Sequence, residues 1–122
     1  MTKSSKIKIG ISIGDYNGIG IEVILKTFSD RRIFDFCTPI VYANYGLINS
    51  AKKELNIEHS SLFGAKNISE IKPFKLNIID CWEEKIELNF GANEKAAGKY
   101  ALKSLESAVY DLKEQNLSLI HI

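Results

Sequence analysis

The chain has 122 residues, of which 45% are hydrophobic and 25% are charged, and its formal net charge is +1. This composition is typical of a globular domain, and the balanced charge argues against nucleic acid or an anionic membrane as a partner. No apolar run approaches the roughly 20 residues that cross a bilayer. Residues 1–8 also lack a signal-peptide pattern, so we expect a cytoplasmic protein without a membrane partner.

Strand and helix patterns alternate along the chain. Alternating β-branched residues predict strands, and apolar residues at helical spacing predict helices. The predicted strands are residues 6–14, 39–43 and 74–81, and the predicted helices are residues 19–29, 46–55 and 95–115. Residues 83–90 are either a short extended segment or a loop. This order favours an α/β fold of three layers, in which helices cover both faces of a mostly parallel sheet.

The last predicted helix carries the clearest apolar stripe. Its members are Ala97, Ala101, Leu105, Ala108 and Leu112, widened by Leu102 and Val109. We interpret this stripe as the face that a sheet, and further elements, would cover. A sheet of only three strands leaves open edges. We therefore expect the isolated chain to be marginally stable or prone to aggregation.

The cysteine and histidine residues give no pattern of a metal site. Cys37 and Cys81 lie far apart in apolar surroundings, and we expect two reduced, buried thiols. His59 lies in a polar stretch and is expected in a solvated loop. Neither His59 nor His121 has neighbouring ligands at short spacing, so neither is assigned a metal role.

A glycine-rich loop, GDYNGIG at residues 14–20, joins the first predicted strand to the first predicted helix. Its spacing is neither the dinucleotide fingerprint nor a P-loop. Free N–H groups at the following helix terminus suit an anion such as phosphate, and Asp15 and Asn17 are suited to capping that helix or binding a ligand. A plain turn, with glycines placed for packing, is an equal alternative.

The stretch KIGISIGDYNGIGIEVILK, residues 8–26, resembles the opening of the 4-hydroxythreonine-4-phosphate dehydrogenases of vitamin B6 synthesis, which have a G-D-P-x-G-I-G-P-E loop. The matching residues are Gly14, Asp15, Gly18, Ile19, Gly20 and Glu22. Tyr16 and Ile21 stand where prolines are usual. Residues 39–44 and 98–108 are similar to that family's second strand and to a later helix.

The resemblance implies an N-terminal fragment of an NAD-dependent enzyme with an isocitrate/isopropylmalate dehydrogenase-like fold. Such enzymes oxidise and decarboxylate 4-phosphooxy-L-threonine, as homodimers with a divalent metal (Zn, Mg or Co). The family's metal-binding histidines and second domain lie further along its chain. We therefore assign no catalytic, cofactor-binding or metal-binding residue here, and we expect the fragment alone to be inactive. The candidate substrate-side loop consists of Gly14, Asp15, Asn17, Gly18 and Gly20.

Other functions stay open beside this one. The chain also fits a stand-alone α/β module that binds a phosphorylated metabolite. A paralogous dehydrogenase acting on another phosphorylated hydroxy acid, such as phospho-threonate, is a further alternative. So is a phosphate acyltransferase or an isopropylmalate-type dehydrogenase with a similar first half.

The last six residues, LSLIHI, have two interpretations. They are the translation of CTG TCT CTT ATA CAC ATC, the mosaic-end adapter of transposase-based sequencing libraries. We therefore expect residues 1–116 to be the native part of a first α/β domain and residues 117–122 to be a non-native tail. The alternative is a genuine buried strand, because the apolar pattern is strand-like.

Overall fold

The computed structural model describes residues 7–58, 61–92, 94–114 and 116–121. The strands are β1 (Ile7–Ser12), β2 (Cys37–Ala43), β3 (Leu62–Ala65), β4 (Leu76–Asp80) and β5 (Leu119–His121). The helices are α1 (Gly20–Thr27), α2 (Tyr45–Glu54) and α3 (Ala96–Lys113), with 3-10 helices at Arg31–Asp35 and Ile68–Glu70. The five strands form one parallel sheet in the order β3-β4-β2-β1-β5.

The middle of the sheet is β2, and all seven of its residues are buried. It pairs with β1 on one side, where Val41 lies opposite Ile11, and with β4 on the other, where Val41 lies opposite Ile78. A strand of a parallel sheet covered on both faces requires a nearly continuous apolar run. The sequence CTPIVYA of β2 supplies one.

Helices cover both faces of the sheet. Ile21 of α1 and Leu47 of α2 share a buried cluster with Val41. Ala108 of α3 belongs to a second cluster with Ile40. Because successive residues of a strand point to opposite faces, Ile40 and Val41 identify the two faces. The predicted α/β fold, with helices on both faces of a parallel sheet, is confirmed.

The prediction of only three strands is wrong, because β3 and β5 extend the sheet at its two edges. Strand β3 has four residues, too few to show an alternating pattern, and it includes Gly64. A Cβ atom at Gly64 would lie 3.2 Å from the Tyr45 ring. Glycine therefore stands in this edge strand because the ring packs closely against the backbone, although glycine is a poor strand former.

The predicted packing stripe of α3 is only partly right. Four residues of α3 are buried: Ala97, Tyr100, Ser104 and Ala108. Three apolar members of the predicted stripe are instead exposed: Leu102 (55%), Val109 (38%) and Leu112 (37%). The apolar pattern misplaced the inner face, because a tyrosine and a serine occupy inner positions of the helix.

Strand β5 includes three of the six final residues. It pairs in parallel with β1, with Leu119 opposite Ile9, and Leu117 before it is buried. The strand spans Leu119–His121, within the segment that has the two interpretations. The origin of their codons stays a prediction, which the DNA sequence tests.

Two further sequence predictions concern single residues or segments. His59, expected in a solvated loop, lies outside the described residues. No helix in the described part of the chain is long and apolar enough to cross a membrane.

Candidate functional site

The glycine loop leaves β1 at the carboxyl edge of the sheet. Its turn is closed by Gly18 N–H, which donates to Asp15 O at 2.9 Å, and Asn17 N–H donates to Asp15 Oδ1 at 2.8 Å. Helix α1 then begins with Ile19 at its N-cap position and without a side-chain cap. Asp15 therefore fixes the loop, and the prediction that Asp15 or Asn17 caps the helix is wrong.

A second segment crosses the carboxyl edge of the sheet. We call residues 81–92 the crossing segment; it has no regular secondary structure. Cys81 N–H donates to Ala43 O at 2.6 Å at its start, and Asn44 Nδ2 donates to Trp82 O at 2.8 Å. Asn44 also caps α2, because its Oδ1 accepts from Leu47 N–H at 3.1 Å. The segment is thereby held to the end of β2.

Asn17 holds the far end of the crossing segment. Its Oδ1 accepts from Asn89 N–H at 2.8 Å, and its backbone carbonyl accepts from Gly91 N–H at 2.9 Å. Asn17 is only 2% exposed. The loop and the crossing segment thus form one hydrogen-bonded unit at the carboxyl edge, which is where open α/β sheets bind ligands.

Aromatic rings fill the space beneath this unit. The Trp82 and Tyr100 ring centroids are 4.7 Å apart, and the Tyr100 and Tyr16 centroids are 6.1 Å apart. Tyr100 Oη donates to Glu84 Oε2 at 3.3 Å, and Lys99 Nζ lies 3.8 Å from the same oxygen. Backbone hydrogen bonding and nearby lysines lower the pKa of Glu84. The stack joins the loop, the crossing segment and α3.

Ser104 connects α3 to the base of the glycine loop. Its fully buried Oγ accepts from Ile13 N–H at 2.9 Å and donates to the carbonyl oxygen of Tyr42. Sequence reasoning missed this residue. The available signal was a serine at helical spacing between Ala97 and Ala108, where a buried hydroxyl requires partners.

Two buried donors in this unit have no partner among the described residues: Asn17 Nδ2 and Trp82 Nε1. The orientation of the Asn17 amide follows from Asn89 N–H, which requires an oxygen opposite it. Buried donors are nearly always hydrogen-bonded. Both atoms can therefore donate to an ordered water or to an acceptor on a ligand.

A cavity of about 500 Å³ opens beside the crossing segment, at the carboxyl ends of β3 and β4. Lys66, Asp80 and Glu83 contribute charges of both signs to its wall. Cys81 also lines it, and burial raises the pKa of this thiol to about 11. Neither Cys37 nor Cys81 forms a disulfide; Cys37 is buried, as expected, whereas Cys81 is only half-buried.

Metal ligands do not cluster in the described ranges. No group of three or more histidine, cysteine, aspartate or glutamate side chains lies close enough there to hold a metal ion. The candidate loop residues Gly14, Asp15, Asn17, Gly18 and Gly20 supply one carboxylate and one amide, which do not make up a metal site of three or four protein ligands.

Comparison with known proteins gives relatives that are named as dehydrogenases. A 4-hydroxythreonine-4-phosphate dehydrogenase of Bacteroides thetaiotaomicron is 35% identical over 118 residues, which are 97% of this chain and 32% of that protein. The chain is homologous to the 4-hydroxythreonine-4-phosphate dehydrogenases. The dehydrogenase of the same name from Campylobacter jejuni strain RM1221 is 30% identical over 89% of the chain. No protein-family profile matches.

Solved structures of dehydrogenases with this name share the fold. The enzyme from Burkholderia phymatum matches 94% of the chain and 35% of its own, with a TM-score of 0.80 and 24% identity. The enzyme from Klebsiella pneumoniae matches 98% and 37%, with a TM-score of 0.79 and 20% identity. The chain therefore spans about a third of the length of these dehydrogenases.

Tyr16, like Ile21, stands where the loop pattern G-D-P-x-G-I-G-P-E that the chain resembles has a proline. It is 2% exposed, and its Oη donates to Glu94 Oε1 at 2.9 Å. Burial, and then the hydrogen bond to Glu94, raises the pKa of Tyr16. A proline ring would restrain the loop at this position by fixing φ. In this chain the Tyr16 side chain restrains it instead, through its contact with Tyr100 and its hydrogen bond to Glu94.

Proposed function

We propose that the chain is the first third of an NAD-dependent dehydrogenase that oxidises and then decarboxylates 4-phosphooxy-L-threonine in pyridoxal phosphate synthesis. The observation that carries this proposal is the 35% identity to the Bacteroides thetaiotaomicron enzyme across 97% of the chain. The proposal includes a cytoplasmic, homodimeric parent enzyme. Residues 1–116 would then belong to its first domain, and its second domain would lie outside this sequence.

In this proposal the glycine loop forms a wall of the substrate site. It lies at the carboxyl edge of the sheet, and α1 begins uncapped beside it. The space around its backbone is open, since a Cβ atom added at Gly14 or Gly20 would meet no heavy atom within 4 Å. Asp15 is exposed and already accepts Asn17 N–H through Oδ1. Its second carboxylate oxygen is therefore available to a hydroxyl or ammonium group of a substrate.

The NAD and divalent-metal sites would lie mainly in the part of the parent enzyme beyond this sequence. The described residues form no metal cluster, so no reaction step is assigned to them. When bound, the metal would polarise the substrate alcohol and NAD would accept the hydride. The contribution of this chain is to shape and support one wall of the site.

A chimeric enzyme tests the proposal. This chain replaces the aligned 118 residues of the Bacteroides thetaiotaomicron relative, and NADH formation from 4-phosphooxy-L-threonine is followed by absorbance. We expect turnover by the chimera and none by the isolated chain. An Asp15→Ala chimera that loses activity while its melting temperature is unchanged supports the wall role. A folded chimera without turnover of this substrate refutes the proposed activity.

A second substrate is favoured by another relative. A Clostridium botulinum protein named for D-threonate 4-phosphate is 32% identical over 111 residues. The same chimera is therefore assayed with D-threonate 4-phosphate. Higher kcat/KM on this compound would assign the chain to the paralogous activity. Binding of a phosphorylated ligand by the isolated, monomeric chain would instead favour the stand-alone module.

A further inference from the structure

Glu84 of the crossing segment places its carboxylate among three donors of α3. Its Oε2 accepts from Tyr100 Oη at 3.3 Å, and the same oxygen lies 3.8 Å from Lys99 Nζ and 4.0 Å from Lys103 Nζ. We call Lys99, Lys103 and the hydroxyl group of Tyr100 the anion cradle. It lies where the crossing segment meets α3, beside the carboxyl edge at which α/β sheets bind ligands.

Contacts other than those to Glu84 hold the anion cradle. The Tyr100 ring is buried and stacks on Trp82 with 4.7 Å between the centroids, which fixes the position of its hydroxyl oxygen. The ammonium groups of Lys99 and Lys103 lie 5.3 Å and 5.9 Å from the centroid of the same ring, within the range of a cation–π contact. All three donors therefore keep a contact when the Glu84 carboxylate leaves.

Glu84 fills the anion cradle incompletely. Charge-assisted N–H···O bonds usually measure about 2.7–2.9 Å, and both lysines lie farther than that from Oε2. Two ammonium groups face one carboxylate, and neither forms another ion pair in the described part of the chain, so one positive charge is left unbalanced. Because these charged side chains are substantially exposed, their ion pairs contribute little to stability, and Glu84 can leave at small cost.

A phosphate group suits the anion cradle better than a carboxylate does. A phosphate monoester carries a charge of about −1.5 to −2 at neutral pH, which matches two ammonium groups. It also has three terminal oxygens, so each donor of the cradle can bind a different one. Gly98, which precedes Lys99, leaves open space on the helix, since a Cβ atom there would meet no heavy atom within 4 Å.

We propose that Lys99, Lys103 and Tyr100 form a binding site for a phosphate dianion, free or in an ester, and that the Glu84 carboxylate is its internal competitor. Binding of the phosphate displaces Glu84 from the lysines and releases this part of the crossing segment from α3. The site goes beyond the proposed function, because it depends only on residues of this chain and not on which substrate the parent enzyme oxidises.

Titration of the chain with inorganic phosphate at constant ionic strength, followed by amide NMR, tests the competition. Glu84→Gln removes the charge of the competitor. Glu83→Gln is the matched control, because it changes the net charge equally at the neighbouring position and Glu83 forms no ion pair among the described residues. We expect Glu84→Gln to bind phosphate about fivefold more tightly than the wild type, as for a cradle that is free about one fifth of the time. Glu83→Gln should change the affinity less than about twofold, since salt screens distant charges.

A second pair of variants locates the binding on α3. Lys103→Gln, combined with Glu84→Gln, removes one donor and should abolish the gain in affinity. Lys53→Gln on α2, combined with Glu84→Gln, removes the same charge elsewhere and should keep the gain. The amide signals of residues 84, 99 and 103 should shift on addition of phosphate, whereas those of α2 should not.

Several outcomes overturn the proposal. Equal affinities of Glu84→Gln and Glu83→Gln would show an effect of net charge alone, and absence of binding by Glu84→Gln would show that no site exists. A gain that survives the loss of Lys103 overturns it as well. The same titration with O-phospho-L-threonine separates the two sources of phosphate: tighter binding than that of inorganic phosphate assigns the site to a phosphorylated metabolite, and weaker binding assigns it to free phosphate.

Circular dichroism checks the fold of each variant. If Glu84→Gln does not fold in the isolated chain, both glutamine variants are made in the Bacteroides thetaiotaomicron chimera, and the same inequality is required. Binding is measured without turnover, so its result does not depend on whether the chimera oxidises 4-phosphooxy-L-threonine.

Discussion

Replacing Ser104 by alanine removes a single hydroxyl group but should destabilise the chain substantially. The substitution removes the acceptor of Ile13 N–H and the donor to Tyr42 O, both in the buried interface between α3 and the sheet. A buried N–H left unpaired costs about 1–3 kcal/mol. Alanine recovers roughly 0.5 kcal/mol through its higher helix propensity. The expected net loss in the free energy of unfolding is about 2 kcal/mol.

Urea denaturation measures this loss. Trp82, the single tryptophan, is buried against Tyr100, so its fluorescence reports unfolding of the carboxyl edge. We expect the midpoint to fall by roughly 1–2 M urea with an unchanged slope. The matched control is Ser107→Ala, one turn further along α3, where the hydroxyl donates to Lys103 O within the helix. Equal midpoint shifts in the two variants would refute the inference that the hydrogen bonds of Ser104 to Ile13 and Tyr42 stabilise the fold.

Three further expectations concern the same edge of the sheet. Burial raises the pKa of Cys81 from 9.0 to about 11, so its thiol should alkylate slowly at neutral pH in the folded chain, and an alkylation rate equal to that in urea would contradict this. For the same reason, the free energy of unfolding should fall as the pH rises from about 9 to about 11, where the thiol ionises in the unfolded chain first. Tyr16→Phe removes the bond to Glu94 and should cost about 1 kcal/mol in urea denaturation, whereas no loss would show that packing alone holds the ring. Asn17→Ala should accelerate hydrogen exchange of the Asn89 amide measured by NMR, and Asn17→Asp, which keeps the acceptor oxygen, should not.

Periodicity accounts for the elements that were predicted from sequence. The strand at Cys37–Ala43 is buried on both faces and shows a continuous apolar run, and α2 ends within one residue of its predicted end. These elements can be predicted from local sequence alone, because the period of a strand or helix is visible in its own residues. Edge strand β3 is too short to show a period.

One of the two segments of the candidate site was predicted from sequence, and the other was not, because local patterns do not record distant contacts. The loop from Gly14 to Gly20 was visible through its glycines and its resemblance to a known family. The crossing segment was not, because it is held by hydrogen bonds to residues distant in sequence. Asn17 and Asn89 are 72 residues apart, and no local pattern records such a pair.

The inner face of α3 shows the limit of the apolar pattern most directly. Leucines at helical spacing indicated a packing stripe, yet the helix turns Ser104 inward and leaves Leu102 outside. A serine that satisfies two backbone groups is worth more at that position than an aliphatic side chain that would leave them unpaired. The inner position of Ser104 thus goes with its hydrogen bonds to Ile13 and Tyr42, which sequence spacing does not report.

The bridge made by Ser104 also has a consequence for the order of events during synthesis. Ile13 and Ser104 are 91 residues apart, so the base of the glycine loop leaves the ribosome long before its partner. At about 5–20 residues per second, this interval is on the order of ten seconds. During that time β1, α1 and β2 can assemble, but the backbone N–H of Ile13 has no hydroxyl to bind. The glycine loop is therefore among the last parts of the nascent chain to reach its final conformation, and a stall in translation before α3 should leave it accessible to proteases.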